Sequence, residues 1–151
     1  MDAGCSDGLV CDKGDAGMIL ITGGASQGKT AYIKKHYPKL DVLSLTQKQD
    51  MSGMADRLAD PKIPVSCVTH LHRLIRYMLS QGMDVDSYIR KMADAHPDMI
   101  VAMDQVGSGI IPMEREERQY REAVGRAGCL LAQRSECVIW MVCGIANIIK
   151  G

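Results

Sequence analysis

The stretch Gly23-Gly24-Ala25-Ser26-Gln27-Gly28-Lys29-Thr30 carries residue types and a spacing that hold a polyphosphate. Gly23 and Gly28 bracket four residues, and a lysine and a threonine follow, which is the pattern of a phosphate-cradling loop. Glycines let the backbone curl so that successive N–H groups face phosphate oxygens. A helix starting where the loop ends adds the positive end of its dipole. In this arrangement Lys29 reaches the β- and γ-phosphates of a nucleoside triphosphate, and the Thr30 hydroxyl faces Mg²⁺. Base contacts have no fixed spacing, so ATP and GTP are equivalent at this level. A second, metal-side carboxylate is expected at the end of a neighbouring strand, and Asp104 stands there, after the apolar run 99–103. The competing reading of Asp104 is an aspartate that caps a turn.

Such a loop needs a buried strand before it and a helix after it, and the sequence provides both. Residues 18–22 are apolar and β-branched and end at glycine, which predicts a buried parallel strand. A helix is predicted from residue 28 to about 36, where Tyr37-Pro38 ends it. A second strand is expected over 41–45 and a helix over 51–59, with Pro61 and Pro64 breaking the chain. Residues 70–81 form an amphipathic pattern with Leu71, Leu74, Ile75, Met78 and Leu79 on one stripe and Gly82 as C-cap. Another helix is expected over 84–95, a strand over 99–103, a long charged helix from 114 to about 134, and a last strand over 137–143. Residues 145–150 read as a short tail. Alternating strands and helices imply a parallel sheet with helices on both faces.

The bulk composition fits one domain and excludes some partners. The chain has 151 residues, 46% of them hydrophobic, with 18 basic and 18 acidic side chains. Net charge is therefore zero, and no overall field draws the protein to nucleic acid or to an anionic membrane. No apolar run reaches membrane-spanning length. Residues 1–17 are polar and rich in Gly and Asp, without the apolar segment of a secretory signal. They read as a disordered leader before a single nucleotide-binding domain over 18–151, and the protein reads as soluble and cytoplasmic. None of the six cysteines forms a Cys-x-x-Cys pair or a zinc-ligand spacing. Cys129, Cys137 and Cys143 lie among apolar residues and are expected in the core.

The C-terminal third narrows the reading. The segments Val106-Gly107-Ser108-Gly109-Ile110-Ile111-Pro112, Arg118, Tyr120-Arg121, Gly125-Arg126 and Cys143-Gly144-Ile145 to Lys150 resemble the bifunctional adenosylcobinamide kinase / adenosylcobinamide-phosphate guanylyltransferases of cobalamin assembly. That family has a matching Gly-Gly-Ala-x-x-Gly-Lys-Ser loop, an Asn-Glu-Val-Gly-x-Gly-Ile-Val-Pro segment and an Arg-x-aromatic-Arg helix. The resemblance implies a P-loop NTPase fold of the RecA-like kind, a three-layer α/β sandwich with a mostly parallel sheet, here shortened in the middle. It implies a transferase using Mg²⁺ with ATP or GTP on a corrinoid alcohol, and a homo-oligomer such as a trimer. Thr46 then joins Gly23 to Thr30 in binding nucleotide, and Gln105, Gly107, Gly109, Arg118 and Arg121 become substrate-side residues. Without the resemblance, Arg118 and Arg121 belong to a solvated helix whose glutamates pair with them.

The middle of the chain departs from the family. In ungapped register Thr46, Met54, Arg57, Leu58 and Lys62 fall on matching positions, but the histidine that accepts the guanylyl group falls on Pro61. Proline has no nucleophilic nitrogen. The chain then skips roughly 30 or more family residues, beyond ordinary loop variation. It resumes at Cys67-Val68-Thr69, similar to an Asp-Cys-Leu-Thr strand end, with Ser66 in place of Asp. Gln105 replaces a glutamate, and Asp104 replaces an asparagine. His70 and His72 lie nearby and, two apart at a helix start, are expected to face different ways. His36 and His96 read as structural groups at helix ends. Phosphoryl transfer depends on positioning and charge, which Lys29, Thr30 and Asp104 supply, whereas the guanylyl step as the family performs it needs the missing histidine. The alternatives are a relative that keeps nucleotide or corrinoid binding without catalysis, and a P-loop kinase for another small molecule.

Overall fold

The protein is described by a computed structural model over residues 17–45, 50–106 and 114–151. The elements are β1 (Ile19–Gly23), α1 (Lys29–His36), β2 (Val42–Ser44), α2 (Met51–Ala59), β3 (Cys67–Thr69), α3 (Leu71–Ser80), α4 (Val85–Ala95), β4 (Ile100–Asp104), α5 (Arg115–Arg134), β5 (Cys137–Val142) and β6 (Ile145–Lys150). They form one six-stranded sheet in the order β2-β3-β4-β1-β5-β6. The first five strands are parallel, and β6 pairs antiparallel with β5. This is the α/β, mostly parallel, P-loop architecture expected from the sequence. Thr46, Gly107, Gly109 and the leader through residue 16 lie outside the described residues.

Right-handed crossovers explain how the helices distribute. From β1 the chain moves three places to β2, and every later parallel connection steps back in the opposite direction. The helix of the first connection therefore lies on one face and those of the others on the second face. The buried clusters agree: Tyr32 and Ile33 of α1 pack with Ile19, Ile21, Ile100, Ala102 and Ile139. Residues of α2, α3, α4 and α5 pack with Leu20, Val101, Met103 and Val138. Strand residues alternate between the two clusters with a period of two, so a strand covered on both faces reads as a continuous apolar run.

Helix α3 buries Leu71, Leu74, Ile75 and Met78 at helical spacing. Each side chain contributes about 1.5–3 kcal/mol relative to exposure. Asp84 caps α4 by accepting the Ser87 N–H and Ser87 hydroxyl. Three ion pairs tie α5 to the two preceding helices: Arg76–Glu117, Asp86–Arg126 and Asp94–Arg134. The Arg76 guanidinium also lies 3.9 Å above the Tyr120 ring. The α5 glutamate Glu117 thus pairs across to α3 with Arg76.

Two expectations are corrected at the C-terminal end. Residues 145–150 are a strand joined to β5 by a two-residue turn. Both turn residues have positive φ, 52° at Cys143 and 76° at Gly144, which is the requirement of the tight hairpin whose twist matches its strands. Of the three cysteines assigned to the core, Cys137 is buried, whereas Cys129 and Cys143 are exposed. Cys129 lines an open cleft beside α5, and Cys143 lies at the hairpin turn, so both stay accessible to solvent.

Candidate active site

In an open parallel sheet, ligands bind beyond the carboxyl ends of the strands where the connections change direction. Here that place is β1, flanked by β4 on one side and β5 on the other. Gly23 is level with Asp104 of β4 and with Met141 of β5. The glycine loop starts at this point and runs into α1.

The local backbone explains the glycines. Gly23 has φ 148°, and a Cβ there would lie 2.4 Å from the Met141 carbonyl oxygen. Gly28 is the N-cap of α1 with φ 95°, and a Cβ there would come within 3.2 Å of Gly144 Cα. Gly24 and Ala25 form the outer curve, and Ser26 adopts a positive φ of 58°. The β5–β6 turn holds the loop from outside: the Cys143 N–H donates to Gln27 Oε1 at 2.6 Å and the Gly144 N–H to the Gln27 carbonyl at 3.0 Å. The Gln105 N–H donates to the Gly23 carbonyl at 2.7 Å from the β4 side.

Lys29 and Asp104 meet beneath this loop. Lys29 is buried, and its Nζ lies 2.9 Å from Asp104 Oδ1. The same ammonium donates to the Gly24 carbonyl at 2.6 Å and the Gly23 carbonyl at 3.3 Å. Thr30 occupies the second position of α1, one residue beyond Lys29. The carboxylate of Asp104 and the hydroxyl of Thr30 are hard oxygen donors at the edge of the loop, the donor set Mg²⁺ takes, so the residues fit that ion.

The sequence reading missed the next group. His72, on the first turn of α3, is buried and faces Asp104. Its Nδ1 accepts the Asp104 backbone N–H at 3.0 Å, and its Nε2 lies 3.3 Å from Asp104 Oδ2. An Nδ1 that accepts leaves the proton on Nε2, the nitrogen nearer the carboxylate. Burial above all lowers the His72 pKa, to about 4, against the opposing pull of Asp104, so the ring is neutral near pH 7. His70 is drawn to the same place. It caps α3 in the left-handed region, φ 62°, with Nδ1 3.2 Å from the Thr69 hydroxyl and 3.4 Å from that of Ser44. Burial lowers its pKa as well. The two rings stand 5.9 Å apart. Regular helical spacing misjudges them because His70 is not helical, and its left-handed turn brings both rings to one centre.

Other sequence candidates fall elsewhere. Gln105 follows β4 and is exposed. Arg118 is exposed and Arg121 partly buried, both on the first half of α5. Ser66 immediately precedes β3, so it lies at the amino end of that strand, while Thr69 and His70 occupy the end level with the loop. Pro61 lies on the turn between α2 and β3, where the Lys62 N–H donates to Asp60 Oδ1. That turn also leads into the amino end of β3, at the opposite end of the parallel strands from the glycine loop. An apolar cleft of about 490 Å³ begins at Asp104, Gln105 and Val106 and runs between α5 and the sheet. Gly125 and Gly128 line it, and Trp140 and Ile149 stand at its outer end.

The flagellar accessory protein FlaH from Methanocaldococcus jannaschii is similar in structure, with 12% identity over 89% of this chain and 78% of that one and a TM-score of 0.49. A search of curated proteins returns no match. Residues 45–149 match the family described as cobinamide kinase / cobinamide phosphate guanyltransferase, transferases that use a nucleoside triphosphate. The matched stretch begins after the glycine loop, so the loop and the family match are separate observations that agree. Because the match spans more than half of its length, the chain belongs to the cobinamide kinase / cobinamide phosphate guanyltransferase family.

Proposed function

We propose that this protein is a nucleotide-dependent kinase that transfers a phosphoryl group from ATP or GTP to a corrinoid alcohol, adenosylcobinamide, in cobalamin biosynthesis. The observation that carries the reading is the meeting of Lys29 Nζ and Asp104 Oδ1 at 2.9 Å under the Gly23–Thr30 loop. Backbone N–H groups of residues 24–28 receive the phosphates, and Lys29 exchanges the Gly23 and Gly24 carbonyls for phosphate oxygens. Thr30 and Asp104 hold Mg²⁺, which neutralises charge on the phosphates when bound. Thr46, Gln105, Gly107, Gly109, Arg118 and Arg121 act on the nucleotide and acceptor sides, as the family resemblance implies. The apolar cleft opening at Asp104 and Gln105 suits the non-polar body of a bulky acceptor. The protein works in the cytoplasm as a homo-oligomer, a trimer by resemblance.

Guanylyl transfer is not part of the proposed activity, because Pro61 stands at the histidine position and carries no nucleophilic nitrogen. A coupled assay with adenosylcobinamide and ATP or GTP tests the kinase reading. Phosphorylated product is expected, and stabilisation by nucleotide without product would leave a binding protein instead. That second reading has its own support in Gln105, which puts an uncharged amide where the family carries a carboxylate. Incubation with α-labelled GTP is expected to leave no acid-labile protein-bound GMP, and such an adduct would overturn the Pro61 argument.

A further inference from the structure

Helix α5 carries glycine at two places in its interior, Gly125 and Gly128. Glycine there weakens a helix relative to alanine, because its backbone loses more freedom on folding. Two structural needs commonly keep such a residue: a left-handed φ, or a neighbour too close for a side chain. Neither glycine has a positive φ. A Cβ on either one would meet nothing within 4 Å among the described residues. Both line the cleft of about 490 Å³ between α5 and the sheet. Ala132 continues that small-residue wall, while the facing wall carries Leu20, Val138 and Trp140. A leucine at Gly128 would suit the helix and bury apolar area against that wall, so an ordinary gain in stability is left unused.

The cleft is continuous with the floor of the glycine loop. Its inner end is lined by Thr22, Met103, Asp104 and Gln105. Thr22 stands level with Met103 on one side and Trp140 on the other, one residue before Gly23 meets Asp104. Asp104 is the one charged side chain lining the cleft among the described residues, and it lies 2.9 Å from Lys29. Trp140 and Ile149 stand exposed at the outer end. An apolar cleft of this size with polar groups at one end takes a small molecule, or part of a larger one, in a fixed direction. A charged body would give up its hydration there without a partner. We propose that this cleft is the acceptor site, that it receives an uncharged, apolar part of an alcohol with the hydroxyl toward Asp104, and that Gly125 and Gly128 determine specificity by keeping it open. The inference rests on the kinase reading above, and the experiment separates the two.

Trp140 is the only tryptophan of the chain, so energy transfer from it reports binding at the outer end of the cleft. The probe is N-phenyl-1-naphthylamine, an uncharged apolar fluorophore, titrated into the full chain. Gly128→Leu fills the cleft and is expected to weaken its binding about tenfold or more. Gly128→Ala strengthens the helix but leaves most of the space, and it is expected to stay within about threefold of the parent. The thermal shift given by ATP with Mg²⁺ is expected to persist in both variants. Adenosylcobinamide affinity, measured by equilibrium dialysis, is expected to fall about tenfold in Gly128→Leu, and KM in the coupled assay to rise with it more than kcat falls. Equal affinity of the parent and Gly128→Leu for the fluorophore overturns the cleft as a binding site. Phosphorylation of adenosylcobinamide with an unchanged KM in Gly128→Leu overturns it as the acceptor site and leaves the kinase reading in place. Fluorophore binding as expected, with adenosylcobinamide neither bound nor phosphorylated by the parent, overturns the corrinoid reading, and the cleft then stands as the site of another apolar alcohol. Thermal melts identify a variant that does not fold, and Gly125→Leu then fills the same cleft from one turn away.

Discussion

The two strands that flank β1 serve the glycine loop in different ways. On one flank, β4 contributes charge: Asp104 faces Lys29 at 2.9 Å and is itself held by His72. On the other, β5 contributes shape. Its Met141 carbonyl packs where a Cβ on Gly23 would be, and the turn that follows ties Gln27 through two N–H donors. The difference teaches that a phosphate loop needs a mould as well as a charged floor, and that the two belong to separate parts of the chain. Substitutions on the β5 flank should change loop conformation and stability, whereas those on the β4 flank should change response to nucleotide and metal.

The largest effect is expected from Gly23→Ala. The new methyl would lie 2.4 Å from a backbone oxygen that cannot rotate away, at a φ of 148°. A loss of about 3 kcal/mol or more is expected in urea unfolding. Native stability in this variant would break the idea of a moulding flank. Next comes Lys29→Ala. At nucleotide one hundred times its Kd the parent gains about 2.7 kcal/mol by linkage. The variant is expected to lose that gain in thermal unfolding, and an unchanged shift would remove the loop from the site.

The pH dependence sharpens the charged flank. The folded pKa of His72 is depressed to about 4, below its unfolded value. Its contribution to stability is therefore complete above about pH 6.5 and is lost as pH falls through about 4. Between these limits the unfolded chain binds the extra proton, with a slope of at most ~1.4 kcal/mol per pH unit. Unfolding curves for the parent and for His72→Phe should differ by this slope and run parallel above pH 7. Curves parallel throughout pH 4–7 would show that His72 does not titrate as the fold requires. The smallest effect is expected from Gln27→Ala, which removes one acceptor from the Cys143 N–H, about 0.5–1.5 kcal/mol by unfolding. A larger loss would mean that the side-chain bond, more than the backbone bond to Gly144, sets the mould.

Much of this division was legible in the residues. Motif and flanking patterns located β1, the loop and α1, and periodicity placed α2 to α5 within a residue or two of their ends. The place of Asp104 at the end of β4 was legible because a carboxylate after an apolar run is a local signal. His72 was missed because its partner lies 32 positions away, and a buried histidine on an apolar helix has no local mark of its target. A signal for β6 was present and overlooked: the β-branched residues Ile145, Ile148 and Ile149 follow a turn containing Gly144. Ser66 was matched by local sequence likeness, and tertiary register puts it at the amino end of β3. Cys129 and Cys143 were assigned inward from apolar neighbours, although exposure depends on which layer lies above.

The central place of β1 has a consequence for the order in which the protein folds. Ile19 pairs with Ile100 and with Cys137, so the first strand made is among the last to acquire its neighbours. Long loops must close before these pairings contribute, which makes them slow steps. The local α3–α4 helical pair can form while β1 still waits, its apolar edges open. Nucleotide affinity should thus emerge late in refolding, after most of the helical signal, and stopped-flow mixing with a fluorescent ATP analogue would time it. Ligand binding in this chain reports completion of the sheet, since the cradle does not exist until both flanks have arrived.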